Sequence, residues 1–264
     1  MLMQTLSRRG SSLQCPWRLI LYVDEITPGN PLRPDNKRNI MAIYASWLEL
    51  GDFLRTEEAW LTLGIMRTSI MKTIRGGVSS AVKTVLRALF VGSRSMSSAG
   101  ILLPAGDLLF CKFHRFLSGE GAGKAVWCCK GASGIKPCIG CKNVVQLAEG
   151  EESLTKVDGS GYLVDIACWD TARFDPMSDT DVFTAYDGLV AMQAAGALKG
   201  ELEREEKARG FAIVHDAFTE RSADARNTQA VYVCQGSYAH HVGFWSDVLR
   251  DIRLVACPEE VLLR

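Results

Sequence analysis

The chain has 264 residues, 47% of them apolar and 23% charged, a balance that excludes a disordered or fibrous protein and is enough to bury a core without cross-links. No run of eighteen apolar residues is present, so no membrane-spanning helix is expected, and residues 1–14 lack the apolar stretch of a secretory signal. Formal net charge is zero, but residues 1–145 hold 19 Lys and Arg against 9 Asp and Glu, while residues 146–264 hold 11 against 21. The first half thus suits a polyanion such as DNA, the second a basic protein partner, and each half also suits the other.

Residues 1–16, with Ser7, Arg8, Arg9, Gly10, Ser11 and Ser12, carry no periodicity and read as a loose tail. Arg18 to Glu25 is a short apolar run of β-formers ending in two acids, a first strand. Thr27 to Arg38, with Pro28, Gly29, Pro31 and Pro34, is a connecting loop. Asn39–Leu50 and Ala59–Thr68 supply two further strands, with Gly51 and Asp52 opening the turn between them. Val78, Val82, Val85, Leu86, Leu89 and Phe90 share one helical face after Gly76-Gly77, with Lys83 and Arg87 opposite.

A Ser-rich loop, Gly92–Gly100, leads to strand character from Ile101 to Leu117 around a turn at Pro104–Asp107, then to a short helix, Glu120–Trp127. Beyond a linker at Glu149–Ser160, Tyr162–Cys168 reads as a strand. Asp179 or Asp181 caps a helix through Phe183, Tyr186, Leu189 and Val190, with Gly196 as an interruption. Glu201–Arg209 is a charged helix with Glu203/Lys207 and Glu205/Arg209 pairs, ended by Gly210. The fold class is α/β (α+β), in three parts: tail 1–16, a core half 17–145, and an acidic helical or mixed region 146–264. The order β-β-β-α-β-α in the first half is that of a ribonuclease H-like mixed sheet with flanking helices.

Nine cysteines, an odd number without a secretory signal, point to reduced thiols and a nuclear or cytosolic setting. Cys138-Ile-Gly-Cys141 has the Cys-x2-Cys spacing at which a turn presents two thiolates to one zinc ion, with Gly140 easing the turn. The remaining ligands could come from Cys128 or Cys129, or from Cys111-Lys-Phe-His114. On a regular strand, however, Cys111 and His114 would face opposite ways. Lys130, Lys136 and Lys142 flank the turn, where they would offset thiolate charge or meet phosphate.

Two-metal nucleases gather carboxylates from separate elements around Mg²⁺ or Mn²⁺. Asp24, at the end of the first strand, is the first candidate. Glu120, after the fourth strand, is the second, ahead of Asp107, and Asp247 could be a third. His215-Asp216 and His240-His241 have no ligand spacing to other groups. No Gly-x-Gly-x-x-Gly, phosphate-binding Gly-Lys-Ser/Thr loop or Gly-x-Ser-x-Gly elbow is present, so no nucleotide cofactor and no serine hydrolase is expected.

Leu21-Tyr-Val-Asp-Glu25, Ala42-Ile-Tyr44 with Leu48-Glu-Leu-Gly51, and Lys130 to Asn143 together resemble transposase-derived proteins of the Plavaka/CACTA-like cut-and-paste group, in forms abundant in dinoflagellate-type protist genomes. The resemblance covers about residues 17–145 and is most specific at the Cys-x2-Cys segment. It implies a ribonuclease H-like core, DNA strand transfer by metal-bound carboxylates, and a zinc-binding insertion after the second acid. Asp24 matches the first acid. Where such families carry Asp before the helix leading to the cysteines, this chain has Gly119, with Glu120 beside it. Val231–Leu249 keeps Tyr238, His240 and Trp245 without an acid in register, and the chain ends short of a full transposase. A truncated, inactive copy is therefore the expectation, with a non-catalytic zinc-binding interaction module as the alternative.

Overall fold

The computed structural model describes residues 10–27, 39–137, 140–146, 163–165 and 171–217. Alternation in the first strand, Trp17–Ile26 (β1), buries Trp17, Leu19, Leu21 and Val23 on one face, while Ile20 is buried on the other beside Arg18, Tyr22 and Asp24. A strand buried on both faces belongs inside a sheet. Ile40–Trp47 (β2) pairs antiparallel with β1, and Leu61–Arg67 (β3) pairs antiparallel with β2.

β2 is shorter than its sequence pattern predicts. From Leu48 the chain coils into 3-10 turns to Arg55, interrupted at Gly51, which takes φ 55°, outside both strand and helix. A second such turn, Glu57–Ala59, leads into β3. This loop lies on the Tyr22 face: the Ser46 hydroxyl donates to the Ala59 carbonyl, and the Trp60 ring meets Tyr22 edge-on at 6.0 Å. Tyr22 in turn stacks on Tyr44 of β2.

After the one-turn helix Thr68–Met71 (α1), the predicted amphipathic helix forms at Gly77–Phe90 (α2). Val78, Val82, Leu86 and Phe90, four apart, are its buried apolar positions. The region 101–117 resolves into a hairpin, Ile101–Leu102 (β4) with Leu108–Leu109 (β5), and a long strand, Cys111–Ser118 (β6). β6 pairs parallel with β1, completing a four-stranded mixed sheet of order β3-β2-β1-β6. Residues 10–16 are pinned rather than loose: the Ser11 hydroxyl donates to the Leu108 carbonyl and accepts from the Phe110 amide.

The helix Glu120–Trp127 (α3) follows β6 directly. Val144–Val145 (β7) pairs parallel with Val164–Asp165 (β8), the part of the predicted 162–168 strand that is described. The linker 149–160 lies outside the described residues. Asp179–Ala194 (α4) buries Val182, Phe183, Tyr186 and Leu189. Its N-cap is Ser178, not either aspartate. Ser178 accepts from the Asp181 amide and Asp181 accepts from the Ser178 amide, a reciprocal box that a hydroxyl at the cap and an acid three residues on can close. Gly196, at φ 81°, lies past the end of α4.

Lys199–Arg209 (α5) is polar all round. Glu205 pairs with Arg209, as the spacing predicts, and Glu203 reaches back to Lys199 at 3.9 Å. Gly210 ends it at φ 82°, where an added Cβ would lie 2.6 Å from the Lys136 carbonyl oxygen.

The described residues fall into two compact units, one within 10–69 and Thr84–Ser118, the other within Ile70–Lys83 and 119–217. The architecture is mixed α/β, and no helix among the described residues is long and apolar enough to cross a membrane. Leu19→Ala should lower the unfolding free energy by about 2–5 kcal/mol, since Leu19 is 1% exposed. Leu61→Ala, at 47% exposed on the outer strand β3, should cost under about 1 kcal/mol. Urea titration followed by circular dichroism reads both.

Candidate functional site

Asp24 sits near the C-terminal end of β1, a strand hydrogen-bonded on both sides. Its carboxylate accepts from the Tyr22 hydroxyl at 2.6 Å on one oxygen and from the Glu25 amide at 2.8 Å on the other. Each oxygen keeps a second lone pair, so the half-buried group fits a divalent cation as well as a structural role. Glu25, exposed, accepts from the Thr68 hydroxyl instead.

Glu120 is the first residue of α3, immediately after β6, but its side chain lies outside what is described. Asp107 lies in the β4–β5 turn, where its carbonyl accepts from the Leu103 amide. Asp216 pairs with Arg75 at 2.9 Å. Asp247 and His240-His241 lie outside the described residues.

Cys111 and His114 do different things. The Cys111 thiol is in the core beneath Trp47, whose indole N–H points at its sulfur at 3.0 Å. Burial pushes the Cys111 pKa up to about 12, against the partial relief of that hydrogen bond, so it is a protonated core thiol at neutral pH. His114 falls at a β-bulge: Phe113 pairs with Leu19 and Arg115 with the next residue, Ile20, leaving His114 as the extra residue. Burial first, and then the positive charges of Arg115 and Arg18, lower its pKa to about 4.

The thiols of the cysteine segment belong to the second unit. α3 ends at Cys128, which adopts the left-handed conformation at φ 56°, ψ 34°. Cys129 bridges to Phe211, the Cys128 carbonyl accepts from the Ala212 amide at 2.7 Å, and the Lys130 amide donates to the Gly210 carbonyl. Burial, then the adjacent Cys128, raises the Cys129 pKa to about 11.

Cys141 is fully buried, bridged to Pro176. The turn there is fastened on both sides. The Met177 amide donates to the Gly140 carbonyl, the Lys142 amide to the Asp175 carbonyl, and the Asn143 side chain spans from the Arg173 carbonyl to the Asp175 amide. Cys138 lies outside the described residues, so the Cys-x2-Cys pair is seen only at its second member. Among the described residues no group of three or more His, Cys, Asp or Glu side chains is gathered as a metal cluster.

Two of the lysines around this segment meet acids of the second half of the chain. Lys130 pairs with Glu206 at 2.5 Å and Lys142 with Asp181 at 3.1 Å. Part of the charge asymmetry is thereby satisfied within one unit. Comparison with protein-family models, curated proteins and solved structures finds no match to this chain.

Partial burial alone would raise the Asp181 pKa, but the Ser178 hydroxyl and amide and the Lys142 ammonium outweigh it and hold the carboxyl below its ordinary 3.8. A folded-state value below the unfolded one stabilises the fold above that ordinary pKa, and the contribution fades as pH falls through the depressed value. Lys142→Met should therefore lower the Tm modestly at neutral pH. The melting curves of variant and wild type should converge as the pH is lowered through the depressed value.

Proposed function

We propose that the chain is a transposon-derived DNA-binding protein with a ribonuclease H-like core, inactive as a strand transferase. The observation that carries this reading is the sheet order β3-β2-β1-β6, antiparallel except for the β1–β6 pair, with Asp24 near the end of β1 and a helix starting one residue after β6. That is the arrangement the family resemblance implies, with Asp24 as first acid. Gly119 as the N-cap of α3, where the second acid is expected, supports loss of strand transfer.

Binding should be seen as anisotropy of a labelled duplex, weakening steeply between about 50 and 200 mM salt as phosphate contacts release counterions. Absence of salt-sensitive binding overturns the DNA reading. With Mn²⁺ or Mg²⁺ the wild-type chain should leave supercoiled plasmid uncut. Cleavage abolished by Asp24→Ala would instead establish an active two-metal nuclease.

The zinc reading places a structural ion at Cys138 and Cys141, with Cys128 or Cys129 as the candidate for a further ligand. All four belong to the same stretch between α3 and β7, whereas Cys111 is occupied by the Trp47 indole. Such an ion would tie the segment together and supply no chemistry of its own. Metal analysis should find about one zinc per chain, lost in Cys141→Ser and kept in Cys111→Ala. Zinc retained by Cys141→Ser overturns this assignment. Zinc without salt-sensitive DNA binding would favour the interaction-module reading, with the acidic second half contacting a basic protein.

A further inference from the structure

On a regular strand, residues 112 and 115 point to opposite faces, because side chains alternate with a period of two. In β6 they do not. Lys112 pairs with Arg18 of β1, and past the bulge Arg115 pairs with Ile20. Arg18 and Ile20 lie two apart on one face of β1, and residues paired across a ladder share a face. The extra residue, His114, therefore turns Arg115 to the side that Lys112 and Arg18 occupy. Bulges are far less frequent in parallel than in antiparallel pairs, and they commonly re-aim a side chain.

We propose that Arg18, Lys112, His114 and Arg115 form a phosphodiester-binding patch on this face of β1 and β6, through which the chain holds the DNA backbone. The inference rests on the DNA-binding reading above and names the surface responsible for it.

Charge and exposure both fit. Of the charges that bear on His114, Arg115, Arg18 and Lys112 are positive and Glu49 alone is negative. Glu49 is mostly buried and holds the Arg18 side chain and amide at 2.8 Å, fixing that guanidinium in place while cancelling one charge of three. Lys112 is exposed, and Arg18, His114 and Arg115 are half-buried. β6, like β3 at the opposite side, is an outer strand among the described residues, so Lys112 and Arg115 lie along a rim. A guanidinium held by its carboxylate partner and an exposed ammonium suit contact with phosphate oxygens. Phosphate contacts carry no sequence information of their own, so binding through the patch should show no strong sequence preference.

The bland function of such charges is to keep an outer strand from pairing with another chain. Duplex binding separates the two. Lys112→Glu, at an exposed site, and Arg115→Gln should each weaken duplex affinity several-fold at low salt and flatten the salt dependence by about one unit of log-log slope. Lys199→Glu in α5, in the other unit, should leave both unchanged. Circular dichroism checks that each variant is folded, and Arg115→Lys should largely restore affinity. Wild-type DNA binding that persists unaltered in Lys112→Glu and Arg115→Gln overturns the patch and leaves the DNA reading standing, as does self-association of those variants in its place. Failure of the wild-type chain to bind duplex overturns the DNA reading and the patch with it. Competition by inorganic phosphate at concentrations matching nucleotide phosphate would make the patch a free-phosphate site and overturn its assignment to DNA.

Discussion

Parallel pairing between β1 and β6 is the constraint on which the first unit is built. Two parallel neighbours cannot be joined by a tight turn, so the chain must leave the end of β1 and return to its start. The stretch between them is spent on β2 and β3, which extend the sheet on the far side, on α2, and on the β4–β5 hairpin that delivers the chain to Cys111. The Trp17 amide donates to the Phe110 carbonyl just before β6 begins, fixing where the register starts. Trp17, Trp47 and Cys111 then close that end of the sheet as one apolar cluster, and Phe113 meets Phe90 of α2 edge-on. Because these contacts hold the register on one face, the extra residue at His114 must be expressed on the other.

The two units use charge differently. In the second, cations from early in the chain are answered by acids from late in it: Lys130 by Glu206, Lys142 by Asp181, Arg75 by Asp216. Those pairs close a loop-rich unit in which, among the described residues, β7 pairs with β8 over two residues of each strand. In the first unit, Glu49 answers Arg18, and Lys112 and Arg115 add positive charge on the same face. The excess of basic residues in the first half of the sequence is thus partly structural and partly displayed.

Elements defined by local periodicity were legible in the sequence: β1, α2, α3, the charged α5 with its Gly210 stop. Their apolar spacing is a property of neighbouring residues, so no partner is needed to see it. The mixed sheet followed from element order. What stayed hidden depends on a distant partner. The bulge at His114 exists only relative to β1, and without it Lys112 and Arg115 read as opposed. Cys111 resembles a ligand until Trp47 is placed over it. Ser178 could not be told from its aspartate neighbours, because the cap is defined by which amide the side chain reaches. The acids were the least legible: Asp24 can be located on a strand, but a carboxylate cluster is a three-dimensional fact, and Cys138 and Asp247 lie outside the described residues.

The left-handed turn at Cys128 carries a consequence for how the chain is made. A side chain in that conformation costs of order 1–3 kcal/mol unless its surroundings hold it. Here the holding contacts come from Gly210, Phe211 and Ala212, far along the chain. During synthesis, α3 and the two cysteines that follow it emerge long before the Gly210–Ala212 segment that fastens them. Until that segment arrives the adjacent thiols have no native backbone partner, and Cys128, buried in the finished fold, stays open to oxidants.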